Sequence, residues 1–352
     1  MTESPAPAAV GFQRKMPPLL ARCVMGGMLD GIIRPAVWTL ETLGLTHRVL
    51  PRLMGRFNKR LASSKAFDGY VPTSHDVFVA TYVKSGTNWM MQIAHQLLNH
   101  GEAEFEHVHC VVPWPDISTG RMRTYAIPIE DQSIWKRSPE QKRVIKTHFD
   151  WKLLPYSADA RYISVIRDPK DVAVSGYHFF ARAAVGGALS VDSWLNAFLS
   201  EQFVWESWPV NTASYWSQRH RPNVLVLSFK AMKRDLRATV RRVAEFLDVR
   251  ASDEMIDRVC EKSSFEYMRR HDEQFANWSM VPWRKTGTMV RRGAHGGSSE
   301  LLTAAQQRRI DDYCMAELRR LGCDFPYAEF CDLAGQSTPD PSRALRAETA
   351  GA

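Results

Sequence analysis

The 352-residue sequence contains no uncharged apolar run near the roughly 20 residues that a membrane-spanning helix requires. An apolar stretch from Cys23 to Leu29 stops at Arg22 and Asp30, without the basic, long-apolar, small-residue order of a signal peptide. Six cysteines (Cys23, Cys110, Cys260, Cys314, Cys323, Cys331) include no Cys-x-x-Cys pair, and no histidine stands beside them at zinc spacing. A disulfide scaffold and a structural metal are therefore not expected, and the cysteines read as reduced thiols of a cytoplasmic protein. There is no basic tract either. The formal charge is +8 and the pI about 9.2, but the cations are scattered among acidic neighbours. Nucleic acid is not the expected partner, whereas a doubly phosphorylated small ligand suits that charge. No internal repeat is present, and 45% hydrophobic residues suffice for a sizeable core.

Composition divides the chain into four parts. Residues 1–15, rich in Ala, Pro and polar groups, read as a mobile N-terminus, and residues 334–352, poor in apolar side chains, as a disordered tail. Residues 71–333 form the expected main domain. Between them and the N-terminus, residues 16–70 place Leu19, Leu20, Met28, Ile32, Val37, Leu40 and Leu53 among Arg22, Arg34, Arg48, Arg52, Arg56, Lys59 and Arg60. That pattern describes basic amphipathic helices, either packed on the main domain or offering a face to a partner or to peripheral membrane contact.

The chemistry begins at residues 77–91, where an apolar run, a Lys-Ser-Gly-Thr turn and a helical run follow without a gap. Strand, loop and helix in that order aim several backbone N–H groups and a helix N-terminus at one spot, and Lys84 adds a full charge. An anionic group belongs there. The spacing is not that of the nucleoside-triphosphate loop, because the lysine precedes the glycine. A second strand, Arg143 to Asp150, ends in Lys146-Thr147-His148, the strand end at which open α/β sheets place their chemistry. A third runs from Arg161 into Arg167-Asp168-Pro169, with Asp168 as a cap and Pro169 early in a helix that carries Val172 and Ser175 on its first turns. An arginine fork and a hydroxyl at a helix N-terminus make a phosphate site.

These segments resemble the cytosolic-type sulfotransferases. Tyr82 to Trp89 is similar to the family's 5′-phosphosulfate loop, with Val83 in place of proline and Asn88 in place of threonine. Arg161 to Phe180 resembles its 3′-phosphate segment, with Arg167 and Ser175 at the matching positions. The resemblance implies 3′-phosphoadenosine 5′-phosphosulfate (PAPS) as donor, held by Lys84, Ser85, Gly86, Thr87, Asn88 and Trp89 at one end and by Arg167 and Ser175 at the other. It implies His148 as general base, with Lys84 and Lys146 as catalytic partners. Phe229, Ser263, Phe265 and Met268 match positions near the adenine, and Arg291, Arg292 and Gly293 match a cofactor-covering segment, for which Arg284 to Gly287 is a competing placement. The family's dimerisation motif is not recognisable, and the oligomeric state stays open.

The expected fold is α/β: a central parallel sheet flanked by helices, of the P-loop-like sulfotransferase type. The expected function is sulfuryl transfer to a hydroxyl or amine of a small apolar or lipid-like acceptor, such as an aromatic alcohol, in a pocket including Trp114, Phe149 and Tyr177. Lysines and arginines would carry the charge, so no metal is expected. A P-loop-type nucleotide kinase and a non-catalytic nucleotide-binding protein of the same fold are the open alternatives.

Overall fold

The computed structural model describes residues 12–62, 65–117, 124–182, 185–277, 281–283, 289–290 and 296–334. Among them, four strands form one sheet: β1 (Asp76–Ala80), β2 (Arg143–Thr147), β3 (Arg161–Ile166) and β4 (Val224–Ser228). Their order is β2-β1-β3-β4 and every pairing is parallel, Val77 lying opposite both Val144 and Arg161, and Ile163 opposite Leu225. Helices supply the crossovers that parallel pairing demands. The extension contributes α1 (Leu19–Met28), α2 (Arg34–Thr42) and α3 (Thr46–Ala62). Next come α4 (Thr87–Leu98), α5 (Ser133–Arg137), α6 (Pro169–Gly176), α7 (Val191–Phe198), α8 (Trp208–Trp216) and α9 (Phe229–Arg234). The described chain continues through α10 (Leu236–Phe246), α11 (Asp253–Lys262), α12 (Phe265–Arg270), α13 (Ala304–Arg320) and α14 (Tyr327–Phe330).

Alternation along the strands divides the core. Val77, Val79, Val144, Ile163 and Leu225 pack on one face with Met90, Met91 and Leu97 of α4 and with α10 and α11. Phe78, Ala80, Ile145 and Tyr162 face the other way, toward Tyr215 of α8. A sheet covered on both sides explains why these strands read as near-continuous apolar runs.

The spacing of apolar residues predicts one helix over Ala231–Leu247 and another over Val191–Phe203, and the structure differs at both. A single helix over Ala231–Leu247 is broken at Asp235, whose extended backbone and Oδ1, accepting the Ala238 N–H at 2.8 Å, cap α10. A helix expected over Val191–Phe203 ends at Phe198, and the following turn holds Trp205 and Glu206 at positive φ.

The extension packs on the domain. Gly26 of α1 lies under the Trp283 ring, where a Cβ would come within 2.6 Å of it, and Asp30 accepts the Trp283 indole N–H at 2.9 Å. Glu41 accepts from the backbone and hydroxyl of Ser190, and Gly55 meets Gln202. Between α1 and α2 the helix widens into a π turn, Leu29–Ile33, just before Pro35, which has no N–H for the ordinary ladder. Of the stretch read as mobile, residues 12–15 are described, and Arg14 donates to the Tyr125 carbonyl at 3.0 Å with its guanidinium over that ring. Residues 1–11 and 335–352 lie outside the described part.

Arg143 and Asp76 form a buried ion pair at 3.0 Å, and Tyr70 and the Thr73 N–H also bond to the aspartate. Asp76→Ala strands the guanidinium, so urea denaturation is expected to show a loss of about 3–5 kcal/mol, with much of it recovered in Asp76→Ala/Arg143→Met. A single variant as stable as the parent would remove the pair from the list of supports.

Candidate active site

The loop after β1 is held in a shape few residues adopt. Lys84 and Gly86 have φ of +63° and +101°, and a Cβ at Gly86 would lie 2.8 Å from the Phe229 ring. Only glycine combines that backbone with that contact. Gly86 then caps α4, whose first N–H groups have no acceptor within the helix and make its start electropositive. The Thr81 and Thr87 hydroxyls are bonded across the base of the loop, and the Lys84 ammonium sits 4.0 Å from the centroid of the Phe179 ring.

β3 brings Arg167 to the same place. Its Nη1 donates to the Lys84 carbonyl at 3.1 Å, its guanidinium lies 4.5 Å from the centroid of the Phe229 ring, and its Nη2 is 3.7 Å from Asp171 Oδ2. Asp168 caps α6 through the Lys170 N–H and Pro169 occupies the first turn, in accord with the sequence. Ser175 does not sit at that helix's N-terminus: it lies on the last turn of the eight-residue helix, so Arg167 and Ser175 mark two points along one cavity wall.

β2 delivers Lys146 and His148. The His148 Nδ1 is 2.8 Å from the Thr81 carbonyl, which only accepts, so Nδ1 carries the proton and Nε2 keeps its lone pair. Its backbone N–H donates to Asp116 Oδ2 at 2.6 Å. Burial, reinforced by Lys146 and Lys84, holds the imidazole well below its usual pKa and therefore neutral. Burial likewise lowers Lys146 to about 7, Asp116 opposing and Lys84 assisting, while its Nζ lies 3.3 Å from the Trp114 ring centroid. Asp116 is pushed up to about 6 by its own burial.

One helix holds two of these segments, the ends of β2 and β3. In α8, the Trp208 indole donates to the Arg167 carbonyl at 3.0 Å, Asn211 to the His148 carbonyl at 3.4 Å, and the Tyr215 hydroxyl to the Phe149 carbonyl at 2.7 Å.

All three strand ends open on a cavity of about 340 Å³. Lys84, Gly86, Thr87, Asn88 and Trp89 line it from the loop, Lys146 and His148 from β2, and Arg167 and Ser175 from β3 and α6. Phe229, Ser263, Phe265 and Met268 complete another wall, where Trp89 donates its indole N–H to the Ser263 carbonyl at 2.8 Å. The buried Ser263 hydroxyl has no hydrogen-bond partner among the described residues.

Other expectations are corrected. Ser85 is fully buried behind the loop and does not line the cavity. Phe149 packs against Phe67, and Tyr177 bonds to the Leu189 carbonyl, so both belong to the core. The aromatic wall consists instead of Trp114, Trp205, Phe179 and Phe180, with Trp205 5.2 Å from the His148 ring. Arg291, Arg292 and Gly293, like Arg284 to Gly287, lie outside the described residues; the next described neighbour, Gly296, donates its N–H to Asp171 at 3.0 Å. Sequence reasoning missed Asp116, Asp171, Lys233 and Asn277. Asp171 lies within Arg161 to Phe180 and Asp116 two residues beyond Trp114, whereas no local pattern marks Lys233 or Asn277.

A sulfotransferase-domain family model matches residues 74–322. The chain belongs to the sulfotransferase family. It is an enzyme of sulfuryl transfer, and the kinase alternative is not favoured. A 3-beta-hydroxysteroid sulfotransferase of Cavia porcellus is 28% identical over 260 residues, 69% of this chain and 84% of that one. Sulfotransferase 1B1 of Canis lupus familiaris is 30% identical over 247 residues, covering 67% and 81%. Among solved structures, a retinol dehydratase in complex with androsterone and inactive cofactor PAP aligns with a TM-score of 0.64 at 20% identity, covering 77% of this sulfotransferase and 88% of that chain. Mouse sulfotransferase SULT7A1 complexed with PAP aligns at 0.55 and 21% identity, covering 83% and 96%. At such identities the likeness is one of fold, and it agrees with the parallel sheet described above.

Gly86→Ala introduces both a strained φ and a clash with Phe229. Affinity for adenosine 3′,5′-bisphosphate, measured by calorimetry, is expected to fall about five- to thirtyfold, the equivalent of about one or two kcal/mol of backbone strain. Parental affinity would show that the nucleotide does not rest on this loop.

Proposed function

We propose that this sulfotransferase takes the sulfuryl group from PAPS and places it on a hydroxyl of a small, largely apolar acceptor. The observation that carries the reading is the meeting of Lys84, Arg167 and a neutral His148 of fixed tautomer on one cavity. The cavity suits such a donor: Gly86 lets the Phe229 ring close on the loop, Ser263 offers a hydroxyl with no partner among the described residues, and Arg167 supplies a planar fork for phosphate. Bound there, the donor supplies an activated sulfuryl group.

His148 Nε2 accepts the acceptor's hydroxyl proton as its oxygen becomes the nucleophile. Lys84, Lys146 and the first N–H groups of α4 stabilise the negative charge that develops on the leaving phosphate and the sulfuryl oxygens. Arg167 and Ser175 hold the nucleotide's 3′-phosphate, and Phe229, Phe265 and Met268 pack on its base. These cations supply positive charge where a divalent ion would otherwise be needed. Trp114, Trp205, Phe179 and Phe180 favour an acceptor with an apolar body, the class to which the hydroxysteroid named for the guinea-pig relative belongs.

His148→Ala is expected to lower kcat by about two orders of magnitude or more while leaving calorimetric affinity for adenosine 3′,5′-bisphosphate unchanged. Arg167→Ala is expected to do the reverse, weakening the nucleotide about tenfold or more with a smaller change in kcat. Unchanged turnover in the first variant, or unchanged nucleotide affinity in the second, refutes the corresponding role.

The lysine also sets a pH dependence. An ammonium is charged below its pKa, so Lys146, at about 7, loses its charge as pH rises through neutrality. His148 stays neutral across that interval. The kcat/KM for the donor is therefore expected to fall between pH 6.5 and 8.5, and in Lys146→Met to be low and flat. A flat parental profile would remove the charged lysine from the reaction.

A further inference from the structure

The extension lies ahead of the family match, and its outer surface has an unusual composition. Leu20, Val24, Met28, Ile32 and Trp38 are all exposed, at 43–75% of their full surface, along the run from α1 through the π turn into α2. Residues 19–42 make a rod of about 36 Å at 1.5 Å per residue. Its two carboxylates point inward, Asp30 to the Trp283 indole and Glu41 to Ser190, and the Arg34 guanidinium lies by Gly186. The exposed side therefore presents apolar groups and no acid.

α3 adds charge of one sign. It carries Arg48, Arg52, Arg56, Lys59 and Arg60 and no Asp or Glu, and its exposed Leu53 and Phe57 stand beside those cations.

We propose that α1 to α3 form a docking element that lies in the plane of an anionic lipid bilayer surface, with the apolar rod in the headgroup boundary and the α3 cations against lipid phosphates. Apolar residues flanked by cations without acids are the composition that binds such a surface, and a tryptophan favours the interface itself. None of the described helices is long and apolar enough to cross a membrane, so the element lies on the bilayer. A second copy is a poorer occupant, because a two-fold interface would set the α3 cations of one chain near those of its mate. The element is also tied to the catalytic cavity: Asn58 of α3 accepts the Trp205 backbone N–H at 3.1 Å and donates to Glu206 at 3.1 Å, and the Trp205 ring lines the acceptor wall. Docking thus holds that wall in a fixed relation to the lipid that an apolar acceptor would leave.

The test is flotation of the full chain with phosphatidylcholine vesicles, with and without phosphatidylserine, beside size-exclusion chromatography. Binding to the anionic vesicles, weakened by salt and near zero on phosphatidylcholine alone, is expected. Val24→Glu/Ile32→Glu and, separately, Arg52→Glu/Arg56→Glu are each expected to reduce affinity more than about tenfold, with turnover of a soluble phenolic acceptor retained. The neutral pair Ile32→Ser/Trp38→Ser repeats the first comparison if the acidic pair lowers turnover through misfolding. Failure of the parent to float, or equal flotation by the apolar-face and arginine variants, overturns the proposal while leaving sulfuryl transfer untouched. A parental dimer that the apolar-face variants convert to monomer, with no vesicle binding, assigns the face to a second copy.

Discussion

The bond from the Arg167 guanidinium to the Lys84 carbonyl is the contact on which the site depends. It joins the residue after β3 to the loop after β1, and those strands are neighbours at the point where the chain's connections diverge: β1 leads outward to β2, and β3 outward to β4. A parallel sheet leaves a crevice at such a divergence because no crossover covers the strand ends there. Two cations 83 positions apart in sequence therefore face one small volume. Left alone they would repel each other; the carbonyl, the Phe229 ring and Asp171 absorb part of that charge, and an anionic guest would absorb the rest.

The same low-polarity surroundings set the protonation states. Lys146 and Asp116 both resist ionisation because both are buried, and His148 is neutral because burial and two lysines act together. In a wetter cleft each would sit near its ordinary value and the imidazole would be partly charged at neutral pH. Enclosure by Trp114 and Trp205 thus bears on the protonation of His148 as well as forming the proposed acceptor wall.

The three strand ends, and the placement of Lys84, His148 and Arg167 at them, were legible in the sequence because each is local: an apolar run meets a polar turn. Asp168 and Pro169 marked the start of α6 for the same reason. What failed was longer in range or depended on orientation. Asp116 reaches the His148 backbone across 32 positions, and Trp205 reaches the cavity because α3 and a positive-φ turn bring it there. Phe149 directly follows a residue that faces the cavity and itself faces the core, a distinction that composition does not carry. Asp235 ended a helix that periodicity would have continued, since a cap competes with an apolar stripe and here prevails. The extension's helices were legible from their spacing; the inward turn of Asp30 and Glu41 was not.

α8 grips the carbonyls of Arg167, His148 and Phe149, yet it starts only three residues beyond Trp205. The strand ends that carry Arg167 and His148 and the proposed acceptor wall therefore meet at a boundary about one turn wide, helical on one side and irregular on the other. On the proposed roles, substitutions before Ser207 would reshape acceptor choice while the clamp keeps the sulfuryl-transfer groups in place, which gives the scaffold a route to new substrates that does not pass through an inactive ancestor.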